Sequence, residues 1–544
     1  MILQRTPQFL CRLPRLQHLQ QAHLRCRSTT HADVQHVETV TKPADWDSAK
    51  PYSEIPGPKS YPLVGGLRSF LPGGEFYKVK LEELFKKMTD FGTVAKMPGI
   101  MGRPDMVLLG DPKLIEIAFR NEGPWPIRRG ADCLKYYFEN LRKGLPQSLV
   151  ISQGKEWQDF RTAVNQVMMQ PRNIKQYVEP IDNVSQEFID RMRRIPITLV
   201  ALDAKLGCLK DVPNPEGMKM VENAHIVFDS LYRLDVLPSP WKWISTPAWR
   251  RFEKSMNTIT EISTQYVKEG MERLKSLPTT EIKDRNYSVL ENLLIKTGDP
   301  DRAVAMALDM LLAGIDTTST VVSTVLYQVA THPDKQKRLQ EELDKVIPDP
   351  SKPITKAQLE ELKYMRACIK ETMRVMPIII GNSRTTIKDL VLDGYQIPAG
   401  TMVNTPNIVL CTDNAYFPRA NEFLPERWLP EGADLKATHP FTFLPFGFGP
   451  RMCVGRRFAD LEIETIVAKI FRNFKLEWNH PPAAVEFKIV LVFADPLRFK
   501  VTDRPNLDTL FPHKIKTSRI LGFLVAALDL LKRYMLFSAL SMDI

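Results

Sequence analysis

No run of eighteen uncharged apolar residues occurs in the chain, so no evident membrane-spanning helix is encoded. Cysteine is scarce: seven residues in 544, odd in number, scattered, with no Cys-x-x-Cys pair. A disulfide framework or a zinc site does not fit that spacing, and a reducing compartment does. No Gly-x-Gly-x-x-Gly follows a strand-like run, so the chain holds no nicotinamide or flavin fingerprint of its own. Acidic residues are missing from the first 32 positions, which carry Arg5, Arg12, Arg15, Arg25 and Arg27, and Asp33 is the first acid. Arg-rich, acid-free and mildly amphipathic is the composition of a mitochondrial transit peptide, with cleavage expected around residues 26–40 and a linker over 33–51. The net charge is +11. Outside the first segment it is spread thinly, which argues against a nucleic-acid partner.

What is present is ordinary globular material, 44% hydrophobic and 25% charged. A proline- and glycine-rich stretch over 51–66 opens the body, and no internal repeat divides it. Helical periodicity dominates, with short β-prone runs at 106–109, 390–397 and 487–501. The body, 52–504, therefore reads as one large domain, mainly α with small β-sheets (α+β). Three helices can be placed. The first spans 155–169, closed by Pro171. The second spans 301–330, ending before His332-Pro333. The third spans 355–375, opened by the capping box Thr355-x-x-Gln358 and lined by Leu359, Leu362, Met365, Ile369 and Met373. Residues 505–544 form an atypical extension. Its apolar part, 520–531, is followed by Lys532 and Arg533 and includes Asp529, so it is unlike a spanning helix; a membrane-surface helix or a segment without a folded role is expected, the second favoured.

One segment concentrates chemistry: Phe446-Gly447-Phe448-Gly449-Pro450-Arg451-Met452-Cys453-Val454-Gly455. Its glycines let backbone approach closely, so that N–H groups can point at a sulfur. A helix starting near Val454 would favour the thiolate form of Cys453. Taken alone, the loop could also be a glycine-rich turn with a buried thiol. Elsewhere Glu371 and Arg374 are three apart on one helix face. An acid and two threonines, Asp316, Thr317 and Thr318, interrupt an apolar helix after the small residues Ala313 and Gly314, an arrangement that is costly unless used.

The loop resembles the haem-binding segment of the cytochrome P-450 superfamily, Phe-x-x-Gly-x-Arg-x-Cys-x-Gly with a later Ala. Phe446, Gly449, Arg451, Cys453, Gly455 and Ala459 match it. The resemblance covers roughly 52–504 and looks most like insect mitochondrial members. It implies the cytochrome P-450 fold, with haem b (iron protoporphyrin IX) between the long central helix and the loop and Cys453 as axial thiolate, which favours O–O cleavage. It further implies that Trp157, Arg161, Arg384 and Arg451 contact the haem propionates, that Phe446 and Gly455 shape the loop, and that Glu371, Arg374 and Arg427 form a bracing triad. Asp316 and Thr317 would deliver protons to dioxygen, the co-substrate.

Electrons must come from outside, from NADPH through ferredoxin reductase and a mitochondrial ferredoxin. Mitochondrial members carry cations at the positions of Arg366 and Lys370 that dock an acidic ferredoxin, and Arg456 and Arg457 would extend that patch. The resemblance thus implies a monooxygenase on the matrix side of the inner membrane, peripherally attached, acting on a lipophilic small molecule. The Leu71-Pro72-Gly73-Gly74 run looks more like members that act on foreign compounds than like ecdysteroid hydroxylases. Ile378, Ile379 and Ile380, with parts of 130–150 and 225–245, are expected to line an apolar pocket. From other classes stand a haem protein that binds lipophiles without oxygenating them and an isomerase- or dehydratase-type member.

Overall fold

The computed structural model describes residues 42–61, 64–100, 103–194, 215–276, 287 and 289–504. The transit segment 1–32, the linker up to residue 41 and the extension 505–544 lie outside the described residues. Helices make most of the body. Those that position the site are α1 (Asp132–Tyr136), α2 (Gly154–Met168), α3 (Val178–Arg194), α4 (Pro215–Leu231), α5 (Pro247–Ser276), α6 (Pro300–Ala330), α7 (Pro333–Val346), α8 (Lys356–Glu361), α9 (Lys363–Val375) and α10 (Arg456–Asn473).

Helix starts follow local chemistry. Pro300 and Pro333 sit in the first turns of α6 and α7, where a missing N–H costs nothing. Asp299 caps α6 by accepting from the N–H groups of Asp301 and Arg302, both at 3.1 Å. The expected capping box is formed: Gln358 N–H donates to Thr355 Oγ1 at 3.3 Å, and Thr355 N–H donates to Gln358 Oε1 at 2.9 Å.

The helix expected over 355–375 is two helices, α8 and α9, broken at Leu362 (φ −77°, ψ 70°). The apolar stripe is intact, with Leu359, Leu362, Met365, Ile369 and Met373 all buried. What breaks the helix is a distant carboxylate. Glu342 on α7 accepts from Tyr364 N–H (2.7 Å) and Met365 N–H (2.9 Å), capping α9 from outside.

The largest sheet has four strands: β1 (Val94–Met97), β2 (Met106–Leu109), β3 (Gly381–Thr385) and β4 (Met402–Pro406), ordered β1-β2-β4-β3. β4 runs parallel to β2 (Val107 opposite Val403) and antiparallel to β3 (Ser383 opposite Asn404). The β-prone runs at 390–397 and 487–501 form the hairpins Leu390–Leu392 with Tyr395–Ile397 and Val485–Phe487 with Leu491–Phe493, plus the strand Lys500–Asp503. The stretch 51–66, expected to be irregular, contains one 3-10 turn at Tyr52–Glu54.

α6 is long and apolar enough to pass for a membrane span, yet 67% of its apolar window is buried inside the protein. One side, with Val321, Val322 and Val325, joins the large core around α2, α3, α9 and α10. The other side, with Ala303, Val304, Leu308, Leu311, Leu312 and Ile315, joins a second core built from α1, α4 and α5.

Candidate active site

Cys453 ends a tight loop. Gly447 (φ +74°) and Gly449 (φ +67°) hold left-handed conformations, and a Cβ on Gly449 would lie 2.1 Å from Glu122 Oε1. Cys453 N–H donates to Phe446 O at 2.8 Å, and Gly455 caps α10. Solvent reaches the sulfur, but protein surrounds it closely. That burial pushes its thiol up, while the Gly455 N–H and the guanidiniums of Arg161 and Arg128 pull the other way.

Four guanidiniums converge beside this loop. Arg161 donates from Nη2 to Met452 O at 2.7 Å, and its Nε is buried with no hydrogen-bond partner among the described residues. Arg451 lies over the ring of the buried Trp157, 4.0 Å from the centroid. It donates to Pro126 O (2.9 Å), Ser152 O (2.8 Å) and Gln153 Oε1 (2.7 Å). Arg384 donates to Glu122, to Ser383 O (2.9 Å) and to Phe448 O (2.8 Å). Arg128 donates to Val150 O at 3.1 Å.

Burial and mutual repulsion push Arg451 down to about 9 and Arg128 down to about 10. Arg384 and Arg451 act on Glu122, whose own carboxyl is pushed up by burial despite them. An acceptor-rich anion is what such a cluster holds well. The two carboxylates of a haem fit here: the Arg161 Nε needs an acceptor, and the Cys453 sulfur adjoins the same cluster. Sequence reading found Trp157, Arg161, Arg384 and Arg451 but not Arg128 or Glu122, which belong to no local pattern.

The brace is complete and dry. Glu371, Arg374 and Arg427 are all buried. Glu371 accepts from Arg374 Nη2 (2.8 Å) and Nε (3.0 Å), Arg427 Nε (3.3 Å), Leu424 N–H (3.0 Å) and Trp428 Nε1 (2.9 Å). Arg374 spends its remaining donors on Cys411 O, Ala420 O and Glu422 O. Trp428, next to Arg427 in the chain, is a fourth side chain in the assembly.

On α6, Asp316 is buried and Thr317 Oγ1 donates to Ala313 O at 2.6 Å. A Cβ on Gly314 would meet nothing within 4 Å, so the helix opens onto free space at this level. Regions 130–150 and 225–245 do come together. Cys133, Leu134, Tyr137 and Phe138 pack in one cluster with Val227, Leu234 and Trp241 against Leu308, Leu311 and Leu312 of α6. Ile378 and Ile380 instead pack against the large core and the β-sheet side respectively.

About two turns before the Asp316 level, Asp309 accepts from Ser148 Oγ and from Leu149 N–H (2.6 Å), pinning the 148–150 loop to α6. Burial raises its carboxyl to about 7, against the lowering by these donors and by Arg128. A raised carboxyl favours the neutral folded form, so its contribution to stability is full below the ordinary aspartate range and is lost as pH rises towards about 7. Asp309→Asn is expected to flatten that loss, seen as melting temperature against pH between about 4 and 8. An unchanged slope would refute it.

The four cations of the expected docking face differ in their freedom. Lys370, Arg456 and Arg457 are exposed, but Arg366 is half-buried and held by Glu464. Arg456 pairs with Asp460 at 3.6 Å. Among the described cysteines, Cys133, Cys368 and Cys411 are buried free thiols, and burial pushes all three up.

A thiol-bearing loop at a helix start, a guanidinium cluster and a long helix opposite are the parts of a haem-thiolate enzyme, and comparison with known proteins agrees. The cytochrome P450 family model matches residues 55–195 and 196–501, and the chain belongs to that family. It is thereby a monooxygenase of haem-thiolate type. Its relatives include "Probable cytochrome P450 12a5, mitochondrial" of Drosophila melanogaster, 38% identical over 501 residues (85% of this chain, 93% of the relative). "Cytochrome P450 CYP12A2" of Musca domestica is 38% identical over 515 residues (86% and 94%), and "Cytochrome P450 12b1, mitochondrial" of Drosophila acanthoptera 35% over 497 (85% and 92%). The likeness to insect mitochondrial members expected from the loop is borne out, and the mitochondrion is the compartment it supports.

Proposed function

We propose that the protein inserts one atom of dioxygen into a lipophilic molecule, foreign to the organism rather than an ecdysteroid, with electrons from NADPH passed by ferredoxin reductase and a mitochondrial ferredoxin. The observation that carries the reading is the Cys453 sulfur beside a cluster of four guanidiniums, three of them buried, one of which, Arg161, has an unmatched donor among the described residues. In this reading Cys453 would hold the haem iron through its thiolate, and Arg128, Arg161, Arg384 and Arg451, with Trp157, would hold the haem's carboxylates. When bound, the haem supplies dioxygen activation. The chain's own residues do the rest. Asp316 and Thr317 hold and relay protons at the open level of α6, and the apolar cluster of α1, α4 and α6 excludes water above it. Phe446 and Gly455 fix the loop, and the Glu371, Arg374, Arg427 brace keeps it in place.

Lys370, Arg366, Arg456 and Arg457 form the ferredoxin face. Peripheral attachment to the inner membrane is supported by the exposed pair Trp243 and Ile244 beside Lys242, an apolar tip next to a cation. The test is reconstitution of the purified holoprotein with ferredoxin, ferredoxin reductase and NADPH against sterols and xenobiotics under labelled dioxygen. One labelled oxygen in a product is expected. A red-shifted carbon monoxide spectrum with no oxygenated product from any compound would favour a non-oxygenating haem protein instead. Thr317→Ala is expected to keep that spectrum while product formed per NADPH falls at least about tenfold. Coupling that stays at the parent level would remove Thr317 from proton delivery.

A further inference from the structure

The face assigned to the ferredoxin carries its own acids. Arg366 on α9 gives both Nε (2.8 Å) and Nη2 (2.9 Å) to the carboxylate of Glu464 on α10, a two-point, planar pair. The Arg366 side chain keeps 35% of its exposure and Glu464 16%, so the pair sits at the surface with its carboxylate half tucked in. One helical turn earlier on α10, Asp460 pairs with Arg456 and lies within the electrostatic reach of Arg366 and Lys370 as well. Two acids are thus interleaved among Arg366, Lys370, Arg456 and Arg457. Among the described residues Lys370 and Arg457 pair with no carboxylate, and Lys370 rests 6.0 Å over the Trp428 ring.

An incoming carboxylate therefore meets two kinds of cation. Lys370 and Arg457 are available outright. Arg366 has its Nε–Nη2 edge taken and its charge balanced by Glu464, so it offers only the end-on Nη1–Nη2 edge, and to a partner it attracts less. We propose that Glu464 is a built-in rival of the electron donor's acids: by occupying Arg366 it weakens docking, so that the donor leaves between its two one-electron deliveries. The advantage is kinetic. A carrier that must dissociate to be re-reduced gains nothing from an interface that holds it, and rim charges act on rates and salt dependence more than on fold. The inference rests on the ferredoxin reading of this face, and the experiment separates the two.

The readout is the dissociation constant of an acidic mitochondrial ferredoxin for the holoprotein at several salt concentrations, with steady-state turnover at saturating ferredoxin alongside. Glu464→Gln keeps shape and one acceptor while removing the charge. It is expected to tighten binding about fivefold and steepen the salt dependence, with turnover at saturation unchanged or lower because release slows. Lys370→Gln is expected to weaken binding by a similar factor. Arg366→Gln should cost little in the parent chain and clearly more when combined with Glu464→Gln, since only then is Arg366 free to engage. If Lys370→Gln weakens binding but Glu464→Gln leaves it unchanged or weaker, Glu464 is a structural partner of Arg366 and the inference fails alone. If neither Lys370→Gln nor Arg366→Gln in either background alters binding, the docking face itself lies elsewhere. Should Glu464→Gln give no holoprotein, the comparison of Arg366→Gln with Lys370→Gln still decides: equal losses would overturn the proposal.

Discussion

Cys453→Ala is expected to yield a protein that has lost the red-shifted carbon monoxide spectrum and all oxygenating activity, whatever haem it retains. The cause is local. The sulfur is the one group in the loop able to give an anionic, electron-donating ligand, and the loop is built round it: two left-handed glycines, the Phe446 carbonyl taking the Cys453 N–H, and the Gly455 N–H turned to the sulfur. Alanine keeps every backbone element of that design, so the loop still forms and the effect reads on ligation rather than folding. Cys453→His makes the sharper comparison, supplying a neutral donor in place of a thiolate. A variant of either kind that kept the parent spectrum would show that another residue ligates the iron. Cys133, Cys368 and Cys411 are poor substitutes, since each is buried, and burial, joined by carboxylates near Cys133 and Cys368, disfavours its thiolate.

Glu371→Ala is expected to be the most destructive change outside the haem loop. Glu371 is a single carboxylate set between two guanidiniums, an indole N–H and a backbone N–H, all without solvent. Its removal leaves Arg374 and Arg427 as uncompensated buried charges, a loss on the order of 3–5 kcal/mol, enough to unfold many single domains. The carbonyls of Cys411, Pro418, Ala420 and Glu422 that these arginines gather would be released with them. Soluble holoprotein, quantified by its carbon monoxide spectrum and melting temperature, should fall to a small fraction of the parent. Disrupting the exposed pair Arg419 and Glu422 in the same region should leave both unchanged. Equal behaviour of the two variants would show that the buried charges are not what holds this region.

What could be read from sequence and what could not divides by chain separation. The Cys453 loop is contiguous, so its glycines, arginine and cysteine announce themselves together. The α6 helix is legible because proline and Asp299 mark its start and its apolar period is long. The break at Leu362 is not legible, because it depends on Glu342 reaching α9 from another helix. The same reason hid Glu122, Asp309 and Glu464. Each is an unremarkable acid until folding brings it to Arg384, Leu149 or Arg366, which lie 262, 160 and 98 positions away in sequence. Trp428 adjoins Arg427, but nothing local says that its indole N–H completes the Glu371 brace. Arg128 precedes the region expected to line the pocket, and only its convergence with three other guanidiniums gives it meaning.

Arg451 has a consequence for how the molecule is made. Its bonds to Pro126, Ser152 and Gln153 span 325, 299 and 298 positions, and Arg161 reaches Met452 across 291. A chain threaded from its N-terminus, through a ribosome tunnel or an import channel, presents residues 126–161 long before residues 451–453. The floor of the pocket therefore waits, exposed, for a partner that arrives almost last, and such long-range closures are the slow steps of folding. A haem held as proposed by Arg161 and Arg451 would have no complete seat until about five-sixths of the 544-residue chain has emerged.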